Sequence, residues 1–175
     1  MEPVSEETVE KTWKEFTNLS PEQAERETEK ISKNQPNLLA FMMEFTQELS
    51  QEVKELAIFL FYVLYRMFEK SSKTKINKIS AEEIINCYEK NERLIQSLQG
   101  VHEKFLERIA GVQLSGQPYI MKYVVESLIE APEDEEPMNL TEEDIGYLFL
   151  LLKTVVDLLD QMIRSGLEYR QEGRR

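Results

Sequence analysis

Two side chains could form a nucleophile–base pair, because each is the only one of its type in the 175 residues: Cys87 and His102. A cysteine nucleophile needs its histidine within hydrogen-bonding reach. On one continuous helix the fifteen residues between them span about 22 Å at ~1.5 Å per residue. Only a sharp break at Gly100 brings the two together. They are therefore read as a buried structural cysteine and a surface histidine.

Carboxylates are the next candidates. Helical bundles that hold paired metal ions use Glu from two helices and Glu-x-x-His from two others. With one histidine and no Glu-x-x-His, this chain lacks that pattern. A reduced version would use Glu44, Glu126, Glu69 and Asp157. On a helical wheel, Glu44 and Glu126 fall away from the apolar face, toward solvent. Glu69 and Asp157 follow strongly apolar stretches, where a buried pair would need a cation or a proton to offset its cost. Zinc-type Cys/His spacings and glycine-rich phosphate loops are absent from the sequence. The expectation is no cofactor, no metal and no catalytic set.

The densest charge block is Glu133-Asp134-Glu135-Glu136, which reads as a solvated insertion or as a docking site for a basic partner. Lys70, Lys73, Lys75 and Lys78 form the one complementary stretch. Overall, 21 Lys+Arg stand against 33 Asp+Glu, a net charge of −12 and a pI near 4.7. That field repels phosphates and anionic lipid, so neither nucleic acid nor a membrane surface is an expected partner. The lone cysteine allows no internal disulfide, the first residues do not read as a signal peptide, and the longest apolar run, Leu56 to Tyr65, is half of what a membrane span needs. A cytoplasmic location is expected.

These groups sit on segments with helical spacing throughout. Val9, Trp13 and Phe16 mark a first helix. Ser20-Pro21-Glu22-Gln23 opens a second, polar one that runs to about Asn34. Gln35-Pro36 breaks the chain, and Leu38, Phe41, Met42, Phe45 and Leu49 form the face of a third helix ending near Ser50. The fourth, from about Gln51 to Lys70, is apolar nearly all round and should be central. Ser80-Ala81-Glu82-Glu83 opens a long pattern through Ile84, Ile85, Tyr88, Leu94, Ile95, Leu98, Phe105, Leu106 and Ile109. Pro118 to about Glu130 forms another helix, and Thr141 caps the last, to about Glu168.

Gln35-Pro36 and its following helix can be laid on Gln117-Pro118 and its following helix at a spacing of 82 residues. Leu60-Phe61-Tyr62-Val63-Leu64 lies on Leu148-Phe149-Leu150-Leu151-Leu152 at a spacing of 88, with Glu69 on Asp157. Val9 and Trp13 lie opposite Ile84 and Tyr88 at a spacing of 75. This predicts an all-α, single-domain bundle of about seven helices, built from two tandem pseudo-repeats that share one core. Unit one covers about 4–70, a Lys-rich link 71–79, unit two about 80–168, and a frayed tail 169–175.

The function expected from this pattern is non-enzymatic: protein–protein interaction or self-association, regulatory or chaperone-like, with a protein partner or a homodimer. The alternatives are a metal-binding or enzymatic bundle using acids near the pseudo-two-fold centre, and an apolar ligand carrier.

Overall fold

A hydroxyl residue caps the start of most helices. Ser5 Oγ accepts from Thr8 N at 3.2 Å, opening α1 (Glu6–Thr17). Ser20 and Gln23 form a capping box at the start of α2 (Pro21–Asn34). Pro36 starts α3 (Pro36–Phe45), and Ser50 caps α4 (Gln51–Ser71). Ser80 and Glu83 cap each other's backbone N–H groups at 3.2 and 2.9 Å ahead of α5 (Ala81–Gln96). Pro118 starts α6 (Pro118–Ile129), and Thr141 with Asp144 caps α7 (Glu142–Glu172). In each box the side chains satisfy backbone donors that have no partner within the helix. The structure, a computed structural model, describes residues 2–96, 116–129 and 140–172. Among them there are seven helices and no strand.

α3 stops at Phe45 rather than near Ser50. The buried Thr46 hydroxyl donates to Met42 O at 2.7 Å, and Leu49 N–H closes a turn on Thr46 O at 3.0 Å. That turn leaves Ser50 free to cap α4. At the other end of the chain, α7 runs through Glu172, beyond the expected end near Glu168.

The apolar α4 is central, as its composition requires: Leu60, Phe61, Val63, Leu64, Met67 and Phe68 are buried. It packs along α7, whose Leu148, Phe149, Leu151, Leu152, Val155 and Leu159 are equally buried. Around this pair, α1 packs on α4 and α6, and α5 packs on α7 and α3; α3 also packs on α4, and α6 on α7. Among the described residues no helix is long and apolar enough to cross a membrane.

The polar α2 buries only Ile31. Polar contacts to α4 hold the rest of it. Lys30 Nζ lies 2.8 Å from Glu69 Oε1, and Thr28 and Asn34 hydrogen-bond with the phenols of Tyr62 and Tyr65. Burial pushes the Glu69 carboxyl up, but hydrogen bonds from Lys30 and Arg66 outweigh it and hold the group below its ordinary value. A carboxyl lowered by folding stabilises the fold above the ordinary carboxylate range, and that contribution is lost as the pH falls through the folded value.

Candidate functional site

α5 and α7 carry the densest set of chemically capable side chains among the described residues. Cys87 and Asn91 are four residues apart, hence on one face of α5. They meet Lys153, Thr154 and Asp157 of α7. Asn91 Nδ2 donates to Asp157 Oδ2 at 3.0 Å and to Thr154 Oγ1 at 3.3 Å. Lys153 Nζ donates to Asn91 Oδ1 at 3.1 Å and to Asp157 Oδ2 at 2.5 Å. Thr154 Oγ1 donates to Leu150 O at 2.8 Å, and Cys87 Sγ lies 3.9 Å from Thr154 O. Asn91, Lys153 and Thr154 are buried, whereas the Asp157 side chain is 40% exposed. The cluster is therefore a polar plug whose one wet end is the carboxylate.

Its electrostatics suit structure rather than nucleophilic attack. Burial, and then the Asp157 carboxylate, push the Cys87 thiol up to about 11; Lys153 and Lys90 offset this only in part. A thiol is reactive as its thiolate. Relative to the ordinary value of 9.0, the thiolate fraction at pH 8 falls about 100-fold. Alkylation of the folded chain by iodoacetamide at pH 8 is therefore expected to be about 100-fold slower than in denaturant. Equal rates in the two conditions would contradict this environment.

The carboxylates singled out in the sequence do not converge. Asp157 is engaged by Lys153 and Asn91, and Glu69 by Lys30 and Arg66, the latter at 2.5 Å. Glu44 and Glu126 are exposed, with Glu126 lying 3.8 Å from Lys122. Among the described residues no group of three or more His, Cys, Asp or Glu side chains is placed to hold a metal ion. His102, Gly100 and the acidic block Glu133, Asp134, Glu135 and Glu136 lie outside the described residues.

Two residues that the sequence marks as chain breaks and as matched points of the repeat prove to be buried hydrogen-bonding centres. Gln35 accepts from Ile79 N at 3.1 Å and donates to Asn77 O at 2.7 Å. Gln117 accepts from Val4 N at 2.9 Å and donates to Asp160 Oδ1 at 2.7 Å. The available signal was the identity of the residue before each proline.

A cleft of about 250 Å³ lies between the link and α7, lined by Thr74, Lys75, Ile76, Asn77, Met162, Ile163 and Gly166. It falls below the ~300–1,000 Å³ typical of small-molecule sites. Among the described residues, four large apolar side chains stand exposed: Met43, Ile85, Tyr119 and Ile129. Three of these are on α3 and α6, the helices that follow the two Gln-Pro breaks. No family model matches the chain, and it has no match among the curated proteins or the solved structures.

Proposed function

We propose that this chain is a non-enzymatic interaction protein that holds a protein partner or a second copy on its outer helices. The carrying observation is the set of exposed apolar side chains on α3, α5 and α6, with Met43 61% exposed and Ile129 48%. Interaction surfaces draw on Met and Tyr side chains of this kind. The reactive groups of the polar cluster support the same reading, since they are spent on one another and the thiol is held protonated. The net charge of −12 favours a basic partner, with Glu133, Asp134, Glu135 and Glu136 as its steering block.

The architecture that presents these helices is read as two tandem units, exchanging α1 with α5, α3 with α6 and α4 with α7. Three sets of helix contacts support this reading. The packing of α1 on α4 has its counterpart in α5 on α7, that of α1 on α6 in α5 on α3, and that of α3 on α4 in α6 on α7.

The test compares the wild-type chain with one variant carrying Met43→Ser, Tyr119→Ser and Ile129→Ser, and a second in which residues 133–136 are replaced by Gly/Ser. Light scattering across concentration reads self-association, and pull-down from the source cell reads a partner. The expected result is one specific complex that the first variant loses and that the second forms more slowly and with weaker salt dependence. A wild-type chain that stays monomeric and recovers nothing beyond the first variant counts against the proposal.

A further inference from the structure

The two buried glutamines do the same job for opposite halves of the chain. Gln35 Oε1 takes the N–H of Ile79, the residue before the capping Ser80 of α5. Gln117 Oε1 takes the N–H of Val4, the residue before the capping Ser5 of α1. Val4 and Ile79 are 75 residues apart, as are the two serines. Both apolar side chains are buried, at 2% and 1% exposure. The next backbone bonds repeat too, Val9 N to Ser5 O and Ile84 N to Ser80 O, each at 3.1 Å. A buried N–H just outside a helix has no partner within that helix, and leaving it unmet is costly. In both cases the missing acceptor comes from the other half.

We infer that the chain is an exchanged pair, in which each half clasps the entry of the other half's first helix, so that the halves stand to each other as the protomers of a dimer tied by the link. The inference rests on the two-unit reading above and adds what joins the units. The fit is reciprocal, as an isologous interface requires: one patch meets its counterpart twice. The clasps differ in their second bond. Gln35 donates to the link itself at Asn77 O, whereas Gln117 donates to Asp160, whose other oxygen accepts from Arg164 Nε at 2.7 Å. The interface between the halves lies in α4 on α7, α1 on α6, α5 on α3 and the two clasps, one of which closes on the last residues of the link.

The test places a protease site in the full chain between Lys73, which is exposed, and Thr74, and cuts after folding. The halves are expected to stay together at the mass of the intact chain, 20.6 kDa. In the cut protein, Gln35→Leu and Gln117→Leu should each raise the dissociation constant between the halves at least tenfold, while Gln161→Leu, at an exposed position, leaves it unchanged. Gln→Asn variants, which shorten the side chain by one methylene, give the same comparison if a Leu variant does not fold. Halves that hold together but ignore one or both glutamines overturn the exchange and leave the two-unit reading standing. Halves that separate as two independently folded pieces overturn the exchange and the shared core.

Discussion

Phe61→Ala is expected to remove about 3–5 kcal/mol of stability, the range for deleting a buried aromatic ring from a packed core. Phe61 is fully buried on α4, the helix that packs along α7. Two losses add: the transfer free energy of the ring, and the cavity left because rigid helices on both sides cannot close in. For a chain of this size the thermal midpoint should fall by about 10 °C, at ~2–4 °C per kcal/mol. Phe149 is 1% exposed and falls on Phe61 at a spacing of 88 residues, so Phe149→Ala should cost about as much. Urea titration of the two variants checks both statements. A loss below about 1 kcal/mol in either would mean that the α4–α7 layer is not the centre of the core.

Much of this architecture was legible because it depends on local rules. Ser20, Pro21 and Gln23 announce α2 through their capping chemistry alone, and the apolar circumference of Ile58 to Leu64 announces a central helix. The early end of α3 was not legible, because the apolar spacing runs on to Leu49 through a turn closed by the backbone bond from Leu49 N–H to Thr46 O. The sites were less legible still. Gln35 and Gln117 were visible as residues before proline, but their importance lies in partners 44 and 113 residues away. Lys153 is a charged residue in a helix and on composition alone belongs at the surface. Asp157, one turn on along the same helix, and Asn91, brought in by α5, together make a buried ammonium tolerable there. Periodicity reports which face of a helix is apolar; it carries no information about which polar side chain of another helix will meet an exception.

That exception yields the second large effect. Asp157→Ala is expected to cost about 2–3 kcal/mol. It leaves the Lys153 ammonium, 5% exposed, with its hydrogen bond to Asn91. Removing one member of a buried pair typically costs ~3–5 kcal/mol. The lower figure applies here because the Asp157 side chain is 40% exposed, so water already screens part of the attraction. Lys153→Met behaves differently. It removes the desolvated charge together with its need for a partner, and Met fills much of the same space beside Cys87 and Thr154. Its cost should be near zero, or slightly negative, as when buried ion pairs are replaced by apolar groups. The double variant should then resemble Lys153→Met rather than the sum of the two, giving a coupling of about 1–3 kcal/mol in a urea-denaturation cycle. Additivity would show that the pair contributes nothing specific. Strong coupling alongside a stable Lys153→Met chain would show that the polar plug is retained at some expense in stability. Its expected role is to fix the register of α5 against α7, since a polar group with a single satisfying arrangement penalises every other one. In that register Asn91 meets Thr154 and Asp157 together, and a slide of one turn would break both bonds.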